Sequence, residues 1–133
     1  MGFHRADPAE LEFEEREPRG DETAGRLAVD LTAALELKQS RARLWRYPPH
    51  TTGRRHADKV QEEVFVVISG TLTMLLGDPA ERVDVGPGGV IAVDPGTPLQ
   101  VRNEAGEELV LYIYGAPAEQ GGADFFDDVP LPA

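Results

Sequence analysis

A chain of 133 residues has the size of one globular domain, which excludes a catalytic unit joined to a separate cofactor module. Twenty-four Asp and Glu against thirteen Lys and Arg give a formal net charge of -11, which repels phosphate backbones and argues against nucleic acid as a partner. There is no cysteine, hence no disulfide, thiolate nucleophile or thiolate metal site, and no apolar run approaches the roughly 20 residues that span a bilayer.

The chain opens on Met1-Gly2-Phe3-His4-Arg5-Ala6-Asp7, which has neither the apolar core of a secretory signal nor the arginine-rich character of a transit peptide, so a cytoplasmic location is expected. Asp7, Glu10, Glu12, Glu14, Glu15, Glu17, Asp21 and Glu22 then outnumber Arg5, Arg16 and Arg19. Like charges at this density favour water, so residues 1–26 are expected to form a solvated arm. A core over 27–117 and a tail over 118–133 complete a single-domain plan. Within Val29 to Lys38 the spacing of Leu31, Leu35 and Lys38 suits one short turn of helix as well as an irregular entry into a sheet.

From there on, β-favouring runs are cut every few residues by Gly, Pro and Asp. The pattern predicts an all-β domain of two antiparallel sheets, a sandwich or barrel. Predicted strands are Arg41 to Tyr47, Arg54 to Asp58, Glu63 to Ser69, Thr71 to Leu76, Arg82 to Val85, Val90 to Val93, Pro98 to Asn103 and Glu108 to Tyr114. Ser69-Gly70, Gly77-Asp78-Pro79, Gly86-Pro87-Gly88-Gly89 and Asp94-Pro95-Gly96 supply the turns.

Side-chain alternation assigns faces. Arg41, Arg43, Trp45 and Tyr47 share one face of the first long strand, and such a face suits an anionic or planar ligand. In Val64-Phe65-Val66-Val67-Ile68 both parities are apolar, so this strand is expected to be covered on each side, by a second sheet and by a partner. In the last strand Val110, Tyr112 and Tyr114 share a parity, and the two tyrosines are expected to present hydroxyls to a cavity. The adjacent Phe125-Phe126 is expected to fold back and bury itself against the body or a second subunit.

Chemistry concentrates at His56, Asp58 and Glu63. On an extended segment His56 and Asp58 point to the same side, and Glu63 opens the next strand after a short connection. One imidazole and two carboxylates form a hard to borderline donor set for a divalent cation such as Mn, Fe or Zn.

The spacing His56-Ala57-Asp58, four residues, Glu63, six residues, Gly70 resembles the first motif of the cupin superfamily, with His50 at its opening glycine and Asp58 at its second histidine. Gly88, Asp94-Pro95-Gly96, Leu99 and Asn103 resemble the second motif, with Leu99 where that motif has histidine. The resemblance runs from Arg41 to about Tyr114 and implies a single jelly-roll-like β-barrel that commonly forms homodimers. In that family two histidines and the glutamate of the first motif hold a metal together with the histidine of the second. Carried over, the ligands are His56, Asp58 and Glu63, one divalent ion (Mn, Fe, Ni or Zn) in an incomplete set, with an apolar wall at Leu99. The expected function is binding of a small molecule in the barrel, contacted by Arg43, Trp45, Leu99, Tyr112 and Tyr114. The alternative is a metal-dependent dioxygenase or isomerase built on the same three ligands. Metal-free acid–base chemistry, with His56 as base and Tyr112 or Tyr114 as acid, is a third reading.

Overall fold

The computed structural model describes residues 2–118 and 121–132. Its strands, in chain order, are β1 (Glu14–Glu15), β2 (Leu27–Asp30), β3 (Arg41–Tyr47), β4 (Thr51–Thr52), β5 (His56–Asp58), β6 (Glu62–Ser69), β7 (Leu72–Leu76), β8 (Glu81–Val85), β9 (Val90–Val93), β10 (Leu99–Asn103), β11 (Leu109–Ala116) and β12 (Ala123–Phe125). The stretch left open between helix and irregular entry forms β2 followed by one helical turn, α1 (Leu31–Ala34). Asp30 caps that turn by accepting a hydrogen bond from Thr32 N at 2.9 Å.

All pairings are antiparallel and fall into two sheets, one in the order β1-β2-β3-β11-β6-β9 and the other β12-β5-β10-β7-β8 with β4 also on β10. The ladders stay two facing sheets and do not join into one closed cylinder. Between them lies the core, in which Trp45, Phe65, Val67, Leu72, Met74, Leu99, Val101, Leu109 and Leu111 are at most 8% exposed. Each comes from the inward parity of its strand, and the registers Trp45↔Leu111 and Leu111↔Val67 line them up across β3, β11 and β6.

Two backbone positions explain motif residues. Gly70 has φ +80°, and a Cβ there would lie 2.4 Å from the Glu108 carbonyl oxygen, so the close β6–β7 turn admits only glycine. His50, standing at a motif glycine, has φ 58° in the exposed turn after β3. Asn103 is a structural pin. Its buried amide donates to the carbonyls of Tyr47 (3.0 Å), Pro48 (3.2 Å) and Glu107 (2.8 Å), and its Oδ1 accepts from Ala105 N (3.0 Å).

One expectation is corrected, and for two others the single chain supplies only part of the expected cover. The arm is not simply solvated: β1 pairs with β2, and Ala6, Leu11 and Phe13 pack with Leu31, Ala42 and Leu44 on the outer side of the first sheet. Arg19 ties it down further, donating to Thr52 Oγ1 (2.7 Å), the Gly53 carbonyl (2.8 Å) and Asp128 (2.9 Å). In the strand Val64 to Ile68, Phe65 and Val67 face the core, while within the single chain Val64 and Val66 on the other side are half-buried, Ile68 is 49% exposed and Val90 of β9 60%. Covering stops there because the arm reaches only β3 and β11. The tail does fold back, as β12 against β5, but Phe125 and Phe126 remain 53% and 39% exposed. Among the described residues no helix is long and apolar enough to cross a membrane.

Replacing Asn103 with alanine takes this side chain away from three carbonyls, one of them in a buried bond, and from one amide. The variant is expected to lose roughly 2–4 kcal/mol of unfolding free energy in a denaturant titration, against about 0.5 kcal/mol for an exposed polar control such as Glu81→Ala.

Candidate functional site

Toward one end of the interior the aliphatic filling stops and leaves a cavity of about 450 Å³. Its walls are built from the residues that alternation turns inward: Arg41, Arg43, Trp45 and Tyr47 from β3, Glu63 and Phe65 from β6, Ile113 from β11, Val101 from β10, and His56 and Asp58 from β5. Phe125 of β12 closes the mouth, with the Arg54 guanidinium 3.8 Å from its ring centroid and the His56 ring at 6.0 Å.

His56, Asp58 and Glu63 converge, each offering one ligand atom within 4.8 Å of the others. His56 Nδ1 lies 3.0 Å from the Arg54 carbonyl oxygen, which can only accept, so Nδ1 carries a proton and Nε2 is the atom turned to the carboxylates. It stands 3.5 Å from Glu63 Oε1 and 3.8 Å from Asp58 Oδ2. Glu63 Oε1 is buried and accepts no hydrogen bond. Burial, together with the hydrogen bond and charge of Glu63, pushes the Asp58 carboxyl up to about 7. Burial alone would raise Glu63 as well, but the close approach of His56 and Asp58 and the charges of His56 and Arg41 hold it below the usual carboxylate range. His56 rises: burial opposes its charge, and the contacts to Glu63 and the Arg54 carbonyl, with the Asp58 charge, outweigh it.

Two half-buried carboxylates and an imidazole lone pair do not readily face one another bare. They need a proton or a cation between them, and the orphaned Glu63 oxygen with the exposed Nε2 lone pair is a donor set that fits a divalent ion. Leu99 pairs directly across from His56 in the β5–β10 register but is 2% exposed and packed into the core, so it adds no ligand. His50 lies outside this group among the described residues.

Of the other expected pocket residues, Arg43 and Trp45 line the cavity, while Leu99 belongs to the core below it. Tyr112 and Tyr114 do not reach it. They sit on the opposite parity of β11, Tyr112 against the arm and Tyr114 41% exposed, and Ile113 takes the inward position. The cavity's tyrosine is Tyr47, fully buried, its hydroxyl accepting from Arg26 at 3.3 Å. Sequence reasoning missed Arg16 and Arg26, both cavity-lining and both from the N-terminal arm or its junction with β2. Only the pairing Ala28↔Trp45 brings that junction beside β3, and no local pattern signals it.

The model of the cupin domain family matches residues 43–114. No curated protein matches significantly. Among solved structures, the sugar phosphate isomerase from a cupin superfamily of Silicibacter pomeroyi is similar with a TM-score of 0.73 at 21% identity, covering 97% of this chain and 97% of that one. The polyketide cyclase RemF of Streptomyces resistomycificus gives 0.75 at 20%, covering 94% and 86%. KdgF from a Halomonas species gives 0.70 at 13%, covering 85% and 94%. At these identities the likeness shows the fold. With two facing antiparallel sheets, both motifs seated where they shape the interior and more than half of its length matched, the chain belongs to the cupin family.

Proposed function

We propose that this chain binds a small organic molecule in the cavity between its sheets, with an oxygen of that molecule held at His56, Asp58 and Glu63. The observation that carries this reading is the convergence of those three side chains, of mixed protonation, on the wall of a cavity whose remaining lining is mainly aromatic, aliphatic and arginine side chains. Neighbours named for a polyketide cyclase and a sugar phosphate isomerase favour an oxygen-rich ligand. Without a metal, His56 and Asp58 share protons with Glu63 and offer N–H and O–H donors to a ligand carbonyl or hydroxyl. The acid–base variant that relies on Tyr112 or Tyr114 has no support, because neither lines the cavity.

A second reading, a metal-dependent isomerase or dioxygenase, is favoured by one observation, the buried Glu63 Oε1 that accepts no hydrogen bond beside His56 Nε2. A divalent ion held by His56, Asp58 and Glu63 would polarise a ligand oxygen. The Arg54 carbonyl fixes the imidazole for that role, and Leu99 leaves the fourth position to water or ligand.

The two readings separate by experiment. In a thermal-shift screen of small oxygenated metabolites, a true ligand at about 100 times its Kd adds about 2.7 kcal/mol, several degrees in Tm, and His56→Ala abolishes the shift. A screen that moves Tm for no compound sinks the binding reading. Elemental analysis after incubation with Mn, Fe, Ni or Zn and dialysis is expected, on the second reading, to find near-stoichiometric metal, with retention lowered at least about tenfold in Glu63→Gln. Equal metal content in parent and variant removes these ligands from consideration.

Proton sharing has its own signature. Because Asp58 is raised in the folded state from 3.8 to about 7, its contribution is harmless below the unfolded value and is progressively lost as pH rises between the two. His56, also raised, loses stabilisation in the same direction. In chelator-treated protein, Asp58→Asn should therefore gain stability over the parent from about pH 4 to pH 7 and level off above. A Tm difference independent of pH would mean that Asp58 titrates normally.

A further inference from the structure

Five guanidinium groups, of Arg16, Arg26, Arg41, Arg43 and Arg54, line the cavity against two carboxylates, in a chain whose net charge is -11. In so acidic a protein, arginines held for general balance would pair with the abundant surface acids. Among the described residues only Arg16 does, with Glu14 at 3.0 Å; the other four have no carboxylate within 4.0 Å.

Arg26 is the most exacting case. Its Cζ lies 5.0 Å from the Trp45 ring centroid and 5.4 Å from that of Tyr47, and among the described residues the one hydrogen-bond partner of its guanidinium is the neutral Tyr47 hydroxyl at 3.3 Å. Its Nε is buried and unpartnered. Arg16 approaches the same Trp45 ring, at 5.7 Å. The faces of Trp45 and Tyr47 are thus engaged by guanidinium, which argues against a stacked planar ligand there and for a group that supplies acceptors. Arg43, beside them, is pushed below its usual value by burial and by Arg41 and Arg16, which outweigh the opposing charges of Asp30 and Glu63. An unpaired buried donor costs about 1–3 kcal/mol, and a planar guanidinium recovers that cost best against a carboxylate or phosphate, which it meets with two parallel N–H···O bonds.

We infer that the cavity is an anion site: its ligand carries a carboxylate or phosphate that docks on Arg26, Arg16 and Arg43 over Trp45, with its other oxygens turned to His56, Asp58 and Glu63. This rests on the proposed small-molecule function and names the ligand's chemical class. The anion also lowers the repulsion that five guanidinium groups exert on a cation at the cluster, so acid group and cation bind with positive coupling.

Trp45 is the chain's single tryptophan and stands at this subsite, so its emission reports on it directly. The test titrates metal-free protein with inorganic phosphate, with glucuronate and with the uncharged methyl ester of glucuronate, at low and at high ionic strength. Saturable quenching or shift by phosphate or glucuronate, at least about tenfold weaker for the ester, weakened by salt and lowered at least about tenfold in Arg26→Gln, is the expected result. Arg26→Lys should retain part of the affinity, and Arg43→Gln replaces Arg26→Gln as the test variant if the latter lacks a cooperative thermal transition. Response to phosphate alone assigns the subsite to phosphoryl groups, and response to glucuronate alone assigns it to carboxylates; either supports the inference. Equal affinity for acid and ester overturns it and leaves the small-molecule reading standing. Silence of Trp45 toward both anions overturns it as well, whatever ligand the wider thermal-shift screen returns.

Discussion

The pleat of β3 is the constraint on which the rest of the molecule depends. A period of two forces Arg41, Arg43, Trp45 and Tyr47 to one side of that strand, and Ala42 and Leu44 to the other. Since Ala42 and Leu44 are claimed by the hydrophobic cluster under the N-terminal arm, the face with the arginines must point between the sheets. Guanidinium groups cannot be sealed into an aliphatic core at acceptable cost. The interior therefore packs tightly only where β11, β6, β7 and β10 supply Leu, Met, Val and Phe, and stays open where β3 supplies charge.

That open end holds opposite charges in an asymmetric arrangement. On one wall His56, Asp58 and Glu63 crowd closely enough for their protonation states to depend on one another; on the other, Arg26 stacks on aromatic rings without an acidic partner, next to Arg16, which Glu14 holds. Aromatic rings position the guanidinium groups of Arg16, Arg26 and Arg54. What results is a bipolar cavity, and the chemistry that completes it is an acid with further oxygens. Substitution of the family's fourth ligand by Leu99 fits the same picture: it extends the dry core up to the cluster and leaves orientation of a ligand to the arginines.

The fold was legible because its signals are local. Strands β3, β6, β7, β9, β10 and β11 lie within a residue or two of where alternation and turn residues put them, and the His56–Asp58–Glu63 set follows from a same-side pair plus a short connection. Errors arose where a residue's environment depends on a distant segment. Tyr112 and Tyr114 share a parity, and that much was readable; which parity faces in depends on the arm covering the outer side, a contact about a hundred residues away in sequence. Arg16 and Arg26 looked like part of a solvated acidic stretch until β2 paired with β3 and drew them to the cavity. Strand β12, Ala-Asp-Phe, has little intrinsic preference for extension and exists through its pairing with β5.

By itself, then, the sequence determined an all-β domain with motifs that resemble those of cupins, the positions of its turns and the identity of the three polar residues that cluster, because alternation, glycine conformation and short-range spacing are properties of neighbouring residues. Only the tertiary structure decided which face of β11 looks inward, that the N-terminal arm belongs to the cavity wall, and that four of the five arginines there stand without a carboxylate within 4.0 Å among the described residues. Those outcomes follow from contacts between segments far apart in the chain, whose free energies compete across the whole fold and leave no periodic trace in any one segment.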